Sequence, residues 1–256
     1  MGRAVPVLGR GRALALAGLA AALVCYGAVA ESLPDLPSHA DLAVVSLLVV
    51  PAFLALSWLA LPLSRAGPTY LILVGAGLAA LLWIALEVVG AGSAANVSRF
   101  ACFVLLGFWL LTFFEELWWV VLISLLVPWV DVWSVVVGPT RYVIEEQPGF
   151  FDRISIAFAI PGEASTLNLG PPDVIFFSLF LAAALRYGLR PAWTWIAMTG
   201  FLGLTLVAVW EWDVAGLPAL PAVCAGFLAA NADLLWHTIR SELRSRSELG
   251  SRDGVD

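Results

Sequence analysis

Two aspartates in this chain stand where a carboxyl group could do chemistry. Asp131 lies deep in an apolar stretch, between Trp129-Val130 and Val132-Trp133, and Asp173 opens the next one, directly after Leu169-Gly170-Pro171-Pro172. An ionisable side chain inside a membrane span is costly and marks a functional site. Two carboxyls a few ångströms apart cannot both ionise, so they hold one proton between them at intermediate pH. One can then act as general base on a water while the other protonates a carbonyl oxygen and a leaving amine, which is aspartic proteolysis. The same pair could instead relay protons in a transporter, and spacing alone does not choose. Asp173 by itself has an equal structural alternative, because a carboxylate in the first turn of a helix favours the helix dipole.

The other polar groups carry less. Glu87, Glu211 and Asp213 fall near the ends of apolar stretches and are expected at the membrane interface, whereas Asn231 and Asp233 could reach between helices. Cys25, Cys102 and Cys224 sit singly in apolar sequence. Their spacing suits neither a metal site nor a disulfide framework, and buried inert thiols are expected. His39 and His237 receive no role. No metal and no organic cofactor are implied.

The elements that must position the two aspartates follow from composition. Of 256 residues, 61% are hydrophobic and 12% charged, against roughly a quarter charged in soluble domains. Such a chain cannot cover a water-facing surface, so the lipid bilayer is its solvent. The net charge of -6 and the lack of a basic patch exclude nucleic acid as a partner. All 13 cationic residues are Arg, which points to a GC-rich bacterial genome and a multi-pass protein of the bacterial plasma (cell) membrane.

Stretches of spanning length run over 12–30, 42–63, 69–90, 98–114, 117–138, 173–189, 192–210 and 217–236. The first could alternatively be a signal peptide, since Arg10 and Arg12 precede an apolar run ending in Ala28-Val29-Ala30. Glu115-Glu116 is expected as a tight surface hairpin. With the N-terminus inside, ten arginines (3, 10, 12, 65, 186, 190, 240, 244, 246 and 252) fall on the inner side and three (99, 141 and 153) on the outer. The positive-inside rule then places the C-terminal tail in the cytoplasm. Helical spacing aligns Ser124, Pro128, Asp131, Ser134 and Gly138 on one small or polar stripe facing other helices. Between the aspartates, residues 153–160 alternate strictly, with Ile154, Ile156, Phe158 and Ile160 on one face, which fits a strand or an amphipathic loop. Asn96-Val97-Ser98 fits a glycosylation acceptor, without meaning in a bacterial protein.

Three segments carry a resemblance. Trp129-Val130-Asp131-Val132 followed by Gly138-Pro139-Thr140-Arg141-Tyr142-Val143-Ile144-Glu145 resembles the presenilin family, where an intramembrane Tyr-Asp precedes a Gly-Pro-x-Arg-x-x-x-Glu stretch. LGPPDVIFFS at 169–178 looks like that family's LGLGDFIFYS motif, and Leu217-Pro218-Ala219-Leu220-Pro221 like its Pro-Ala-Leu motif. Together they cover about 117–236. The resemblance implies a GxGD-type intramembrane aspartyl protease, related to presenilins and signal peptide peptidases. Its fold would be an all-α integral membrane bundle of about eight to nine transmembrane helices.

On that resemblance Asp131 and Asp173 would be the catalytic pair, and Gly170, Pro171, Pro172, Pro218, Ala219 and Leu220 would line the substrate. The substrates would be transmembrane segments of other membrane proteins. The family's loop between the two aspartates can form strands that pair with an unwound substrate, and 153–160 is where such a strand would lie. Val130 stands where the family has Tyr, and Pro172 where it has Gly. The chain divides into N-terminal transmembrane helices (1–116), a catalytic core (117–237) and a polar tail (238–256). A catalytically inactive relative that binds single-span proteins remains a further alternative.

Overall fold

A computed structural model describes residues 8–65, 67–136, 148–212 and 218–252. Gly138 to Glu145, Asp213 and Leu217 lie outside these residues. The helices are α1 (Arg10–Val29), α2 (Ser38–Val44), α3 (Val50–Ala60), α4 (Tyr70–Val88), α5 (Gly92–Leu110) and α6 (Leu117–Val136). After them come α7 (Pro148–Ile154), strands β1 (Ile156–Ala159) and β2 (Thr166–Leu169), then α8 (Pro171–Arg186), α9 (Pro191–Trp212) and α10 (Leu220–Arg252). A π-helical turn over 45–49 joins α2 to α3 into one rod ahead of Pro51. Each of the eight expected apolar stretches therefore carries a helix, and Glu115-Glu116 forms the exposed connection between α5 and α6.

Six helical rods are long and apolar enough to cross a membrane: Arg10–Ser32, Ser38–Arg65, Tyr70–Val88, Gly92–Phe113, Leu117–Ser134 and Pro191–Ala208. The other two expected spans are shorter. α8 has 16 residues, about 24 Å at 1.5 Å per residue, against a hydrocarbon core of about 30 Å. The apolar part of α10 is Leu220–Trp236, beyond which the same helix continues through the polar tail to Arg252.

α8 is the hub of the bundle. Residues Leu179 to Ala184 are fully buried, because α5, α9 and α10 pack around them. A helix apolar on every side is one enclosed by other helices. Phe180 stacks on Phe227 of α10 with ring centroids 4.8 Å apart. Gly107 lets α5 come close: a Cβ there would lie 2.3 Å from the Ile175 carbonyl oxygen. Gly188, at φ 69°, ends α8 in the left-handed conformation that glycine tolerates best. α4 packs mainly on α5 and turns Leu71, Leu78, Leu81 and Ile84 outwards. An apolar exterior around an apolar interior is the pattern of a helix bundle whose solvent is lipid.

The all-helical expectation needs one addition among the described residues, the antiparallel hairpin β1–β2, which pairs Ile156 with Leu169 and Phe158 with Leu167. Alternation in 153–160 does report a strand. Ile156, Phe158 and Ile160 point into the core, where Phe158 meets Phe53 edge-on at 5.3 Å, while Ile154 closes α7 instead. One cysteine differs from expectation: Cys102 and Cys224 are buried, but Cys25 is exposed on α1. α1 buries only Leu23 among its residues, so an apolar thiol on its outer face needs no burial when the surroundings are apolar.

Candidate active site at two helix N-termini

Three tie points near one end of the bundle set the depth of the aspartates. Tyr187 donates to the Phe114 carbonyl at 2.7 Å, and Arg190 meets Asp233 through two bonds of 2.6 and 3.0 Å. Arg186 donates to the Leu111 carbonyl at 3.1 Å. From this base, 14 residues of α6 separate Leu117 from Asp131, 13 of α8 separate Arg186 from Asp173, and 13 of α10 separate Asp233 from Leu220. Each rise is about 20 Å. Three helices of matched length thus bring Asp131, Asp173 and the Pro218-Ala219-Leu220 segment to one level.

They meet there. The Leu220 backbone N–H donates to Oδ2 of Asp131 at 3.2 Å, across 89 residues of sequence. Leu220 is the first residue of α10, so this N–H belongs to the four that a helix start leaves without an internal partner. Asp173 occupies the third position of α8, where its Oδ2 accepts the Gly170 N–H at 3.1 Å while its own N–H donates to the Gly170 carbonyl at 3.2 Å. The capping role expected for Asp173 as an alternative is therefore present. It coexists with the pair, since Asp131 and Asp173 lie within Coulombic reach of each other. Cys224, one turn along α10 from Leu220, lies within reach of both. Two helix N-termini, each with a partial positive charge, thus converge on two half-buried carboxyls.

Prolines shape both starts. Pro171 and Pro172 fill the first two positions of α8, and Pro221 follows Leu220 in α10. Their fixed φ suits a first turn, and the missing N–H would have had no partner there. The Gly-to-Pro departure at 172 hence leaves the backbone donor to Asp173 intact, because that donor is Gly170. Val130, the other departure, is 63% exposed on the outer face of α6, beside Trp129 and Trp133. Ser124 of the expected stripe is buried and bonds the Val121 carbonyl, Pro128 and Ser134 are half-buried, and Gly138 lies outside the described residues.

The hairpin that leads into Asp173 is held by residues of the first 116 that carry no recognisable motif. Asn96, 8% exposed, pairs with both backbone groups of Ala157: its Nδ2 donates to the carbonyl at 2.7 Å and its Oδ1 accepts the N–H at 3.0 Å. Tyr26 donates to the Ala159 carbonyl at 2.9 Å. Arg99, 5% exposed, donates to the carbonyls of Asp152 and Arg153, lies 3.5 Å from Glu87 and stands 5.1 Å over the Trp83 ring. One edge of β1 is thereby closed by side chains and the other by β2. The strand expected to receive a substrate, 153–160, has no open edge. β2 does, since the register turns the backbone groups of Thr166 and Asn168 away from β1, and no bond takes them up among the described residues. A single Asn in an apolar helix, one turn from an Arg, is the available signal for this anchorage, and the glycosylation pattern of Asn96-Val97-Ser98 does not express it.

Asn231 does reach between helices, as expected: it is fully buried, donates to Thr194 Oγ1 at 2.8 Å and accepts the Arg190 N–H at 3.1 Å. Asp233 stays exposed on Arg190. Glu87 pairs with Arg99, and nothing is described for the Glu211 side chain. The sequence matches no protein-family model and none of the curated proteins.

Proposed function

We propose that this protein is a presenilin-like intramembrane aspartyl protease of a bacterial plasma membrane, with all eight long helices crossing the bilayer. It hydrolyses peptide bonds in or near the transmembrane segments of other membrane proteins. The observation that supports this reading most is the junction of three separated segments, in which Leu220 bonds Asp131 and Asp131 lies within Coulombic reach of Asp173. A helix-capping network alone would need neither carboxyl near the other.

In the proposed reaction one carboxylate takes a proton from a water, which adds to the scissile carbonyl carbon. The protonated partner gives its proton to the carbonyl oxygen, and collapse of the tetrahedral intermediate passes a proton to the leaving amine. Water is the only co-reactant. A substrate helix must unwind before its amide is accessible, and an extended segment finds backbone partners on the open edge of β2. β2 ends at Leu169 and the chain passes through Gly170 directly to Pro171 and Asp173, so a strand added there runs past the dyad.

The test is a cleavage assay with a panel of single-span reporters in reconstituted vesicles. Wild type should release fragments, and Asp131→Ala and Asp173→Ala should each release none while keeping the wild-type melting profile within a few degrees. Equal cleavage by both variants, or none by wild type across the panel, overturns the protease reading. A proton-relay protein would instead acidify vesicles in an Asp131-dependent way and leave every reporter intact.

A further inference from the structure

A cavity of about 300 Å³ opens at the arginine-rich end of the bundle, far from the aspartates. It lies where three helical rods end together, and is lined by Ser64 and Arg65, by Phe108, Leu111 and Thr112, and by Arg186. Each arginine spends one nitrogen on a neighbouring helix end: Arg65 donates to the Leu185 carbonyl and Arg186 to the Leu111 carbonyl. A guanidinium carries five donors, so most of each fork is left over.

No ion pair neutralises the charge here among the described residues, although Glu115 and Glu116 are exposed close by, just beyond Thr112. Arg99 and Arg190 each meet a carboxylate, Glu87 and Asp233. Arg65 and Arg186 meet none among the described residues. Glu116, on the same side, accepts a bond from Trp118 instead. The hydroxyls of Ser64 and Thr112 donate to carbonyls of their own helices, Leu61 and Trp109, so they offer an anion no proton and its recognition falls to the two arginines. The two full positive charges line the cavity itself, against the partial negative charges of the three helix ends, roughly half a charge each.

We infer that this cavity binds the phosphate group of an anionic phospholipid from the arginine-rich leaflet. Guanidinium forks match phosphate oxygens two at a time. The cavity sits where the apolar rods stop, which is headgroup depth. Phe113, on the same short turn as Leu111 and Thr112, is 62% exposed and offers a wall for an acyl chain. The positive-inside rule assigns this end to the cytoplasmic leaflet, where anionic lipids draw basic residues and basic pockets between helices take lipid headgroups. The site is independent of whether the aspartates are proteolytic.

The full chain in a neutral detergent tests it, with phosphatidylglycerol, phosphatidylcholine or sodium phosphate added and melting temperature followed. Phosphatidylglycerol should raise the melting temperature saturably, and phosphatidylcholine should not. Arg65→Gln and Arg186→Gln should each weaken the apparent lipid affinity about fivefold, equivalent to about 1 kcal/mol per charge. Either variant could also lose a helix-end bond, so Ser64→Glu serves as the second arm. It places a carboxylate between the arginines, should fold at least as stably as wild type without lipid, and should no longer respond to phosphatidylglycerol. Equal stabilisation by both lipids, an unchanged phosphatidylglycerol response in Ser64→Glu, or stabilisation by free phosphate alone would each overturn the proposal.

Discussion

Replacing Pro172 by glycine separates two roles that the start of α8 could have. Pro172 occupies the second position of the helix, and its side chain is exposed, so the substitution removes no packing. It also breaks no backbone bond, since a proline has no N–H to lose and the Asp173 anchor comes from Gly170 at 3.1 Å. What changes is freedom in the unfolded chain. Where the native φ already suits proline, losing the ring costs about 0.4–1 kcal/mol. For a chain of this size that is a fall of about 1–4 °C in melting temperature. The same loosening acts at the residue before Asp173, in a site where small misplacements reduce rate steeply. Pro172→Gly should therefore lose both stability and cleavage activity. Melting in detergent and initial rates on one single-span reporter, measured beside wild type, give the two numbers. The opposite result, faster cleavage despite a lower melting temperature, would mean that a backbone N–H at 172 helps to hold substrate. Pro172→Ala settles which property matters, because it restores the N–H with less flexibility than glycine.

Gly107→Ala forces a methyl into 2.3 Å of the Ile175 carbonyl oxygen and 2.8 Å of Ser178 Cβ; overpacking of this kind costs about 1–3 kcal/mol, and chemical denaturation in detergent should register it together with a loss of cleavage. Asn96→Ala strands the partly buried N–H and C=O of Ala157, at up to about 1 kcal/mol for each orphaned group, toward the low end of the range for a buried one. Hydrogen exchange should then rise in 156–169 while the interior of α8 stays protected; uniform exchange across both regions would contradict the anchoring role. A reporter fused after Asp256 should behave as cytoplasmic and one inserted near Gln147 as exocytoplasmic, following the ten-to-three arginine bias; the reverse at both sites refutes the orientation.

Local periodicity is set by backbone geometry, so what it controls was legible in the chain itself. Apolar stretches gave the position of all eight long helices, because a rod of 3.6 residues per turn needs only enough consecutive apolar residues to suit lipid. Alternation at 153–160 gave the inward face of β1, because side chains on a strand alternate whatever lies next to it. The order of the two aspartates and the Pro-Ala-Leu segment could also be read directly. Contacts between distant residues obey no such period. Nothing in the sequence around Asn96 or Tyr26 says that their side chains will close β1 and leave β2 as the open edge. That follows from α1 and α5 packing beside the hairpin. Likewise the Asp131 partner is an N–H that every first-turn residue possesses. Leu220 becomes that partner only because α6, α8 and α10 rise by matched lengths from a common base and deliver two helix starts to two carboxyls at one depth.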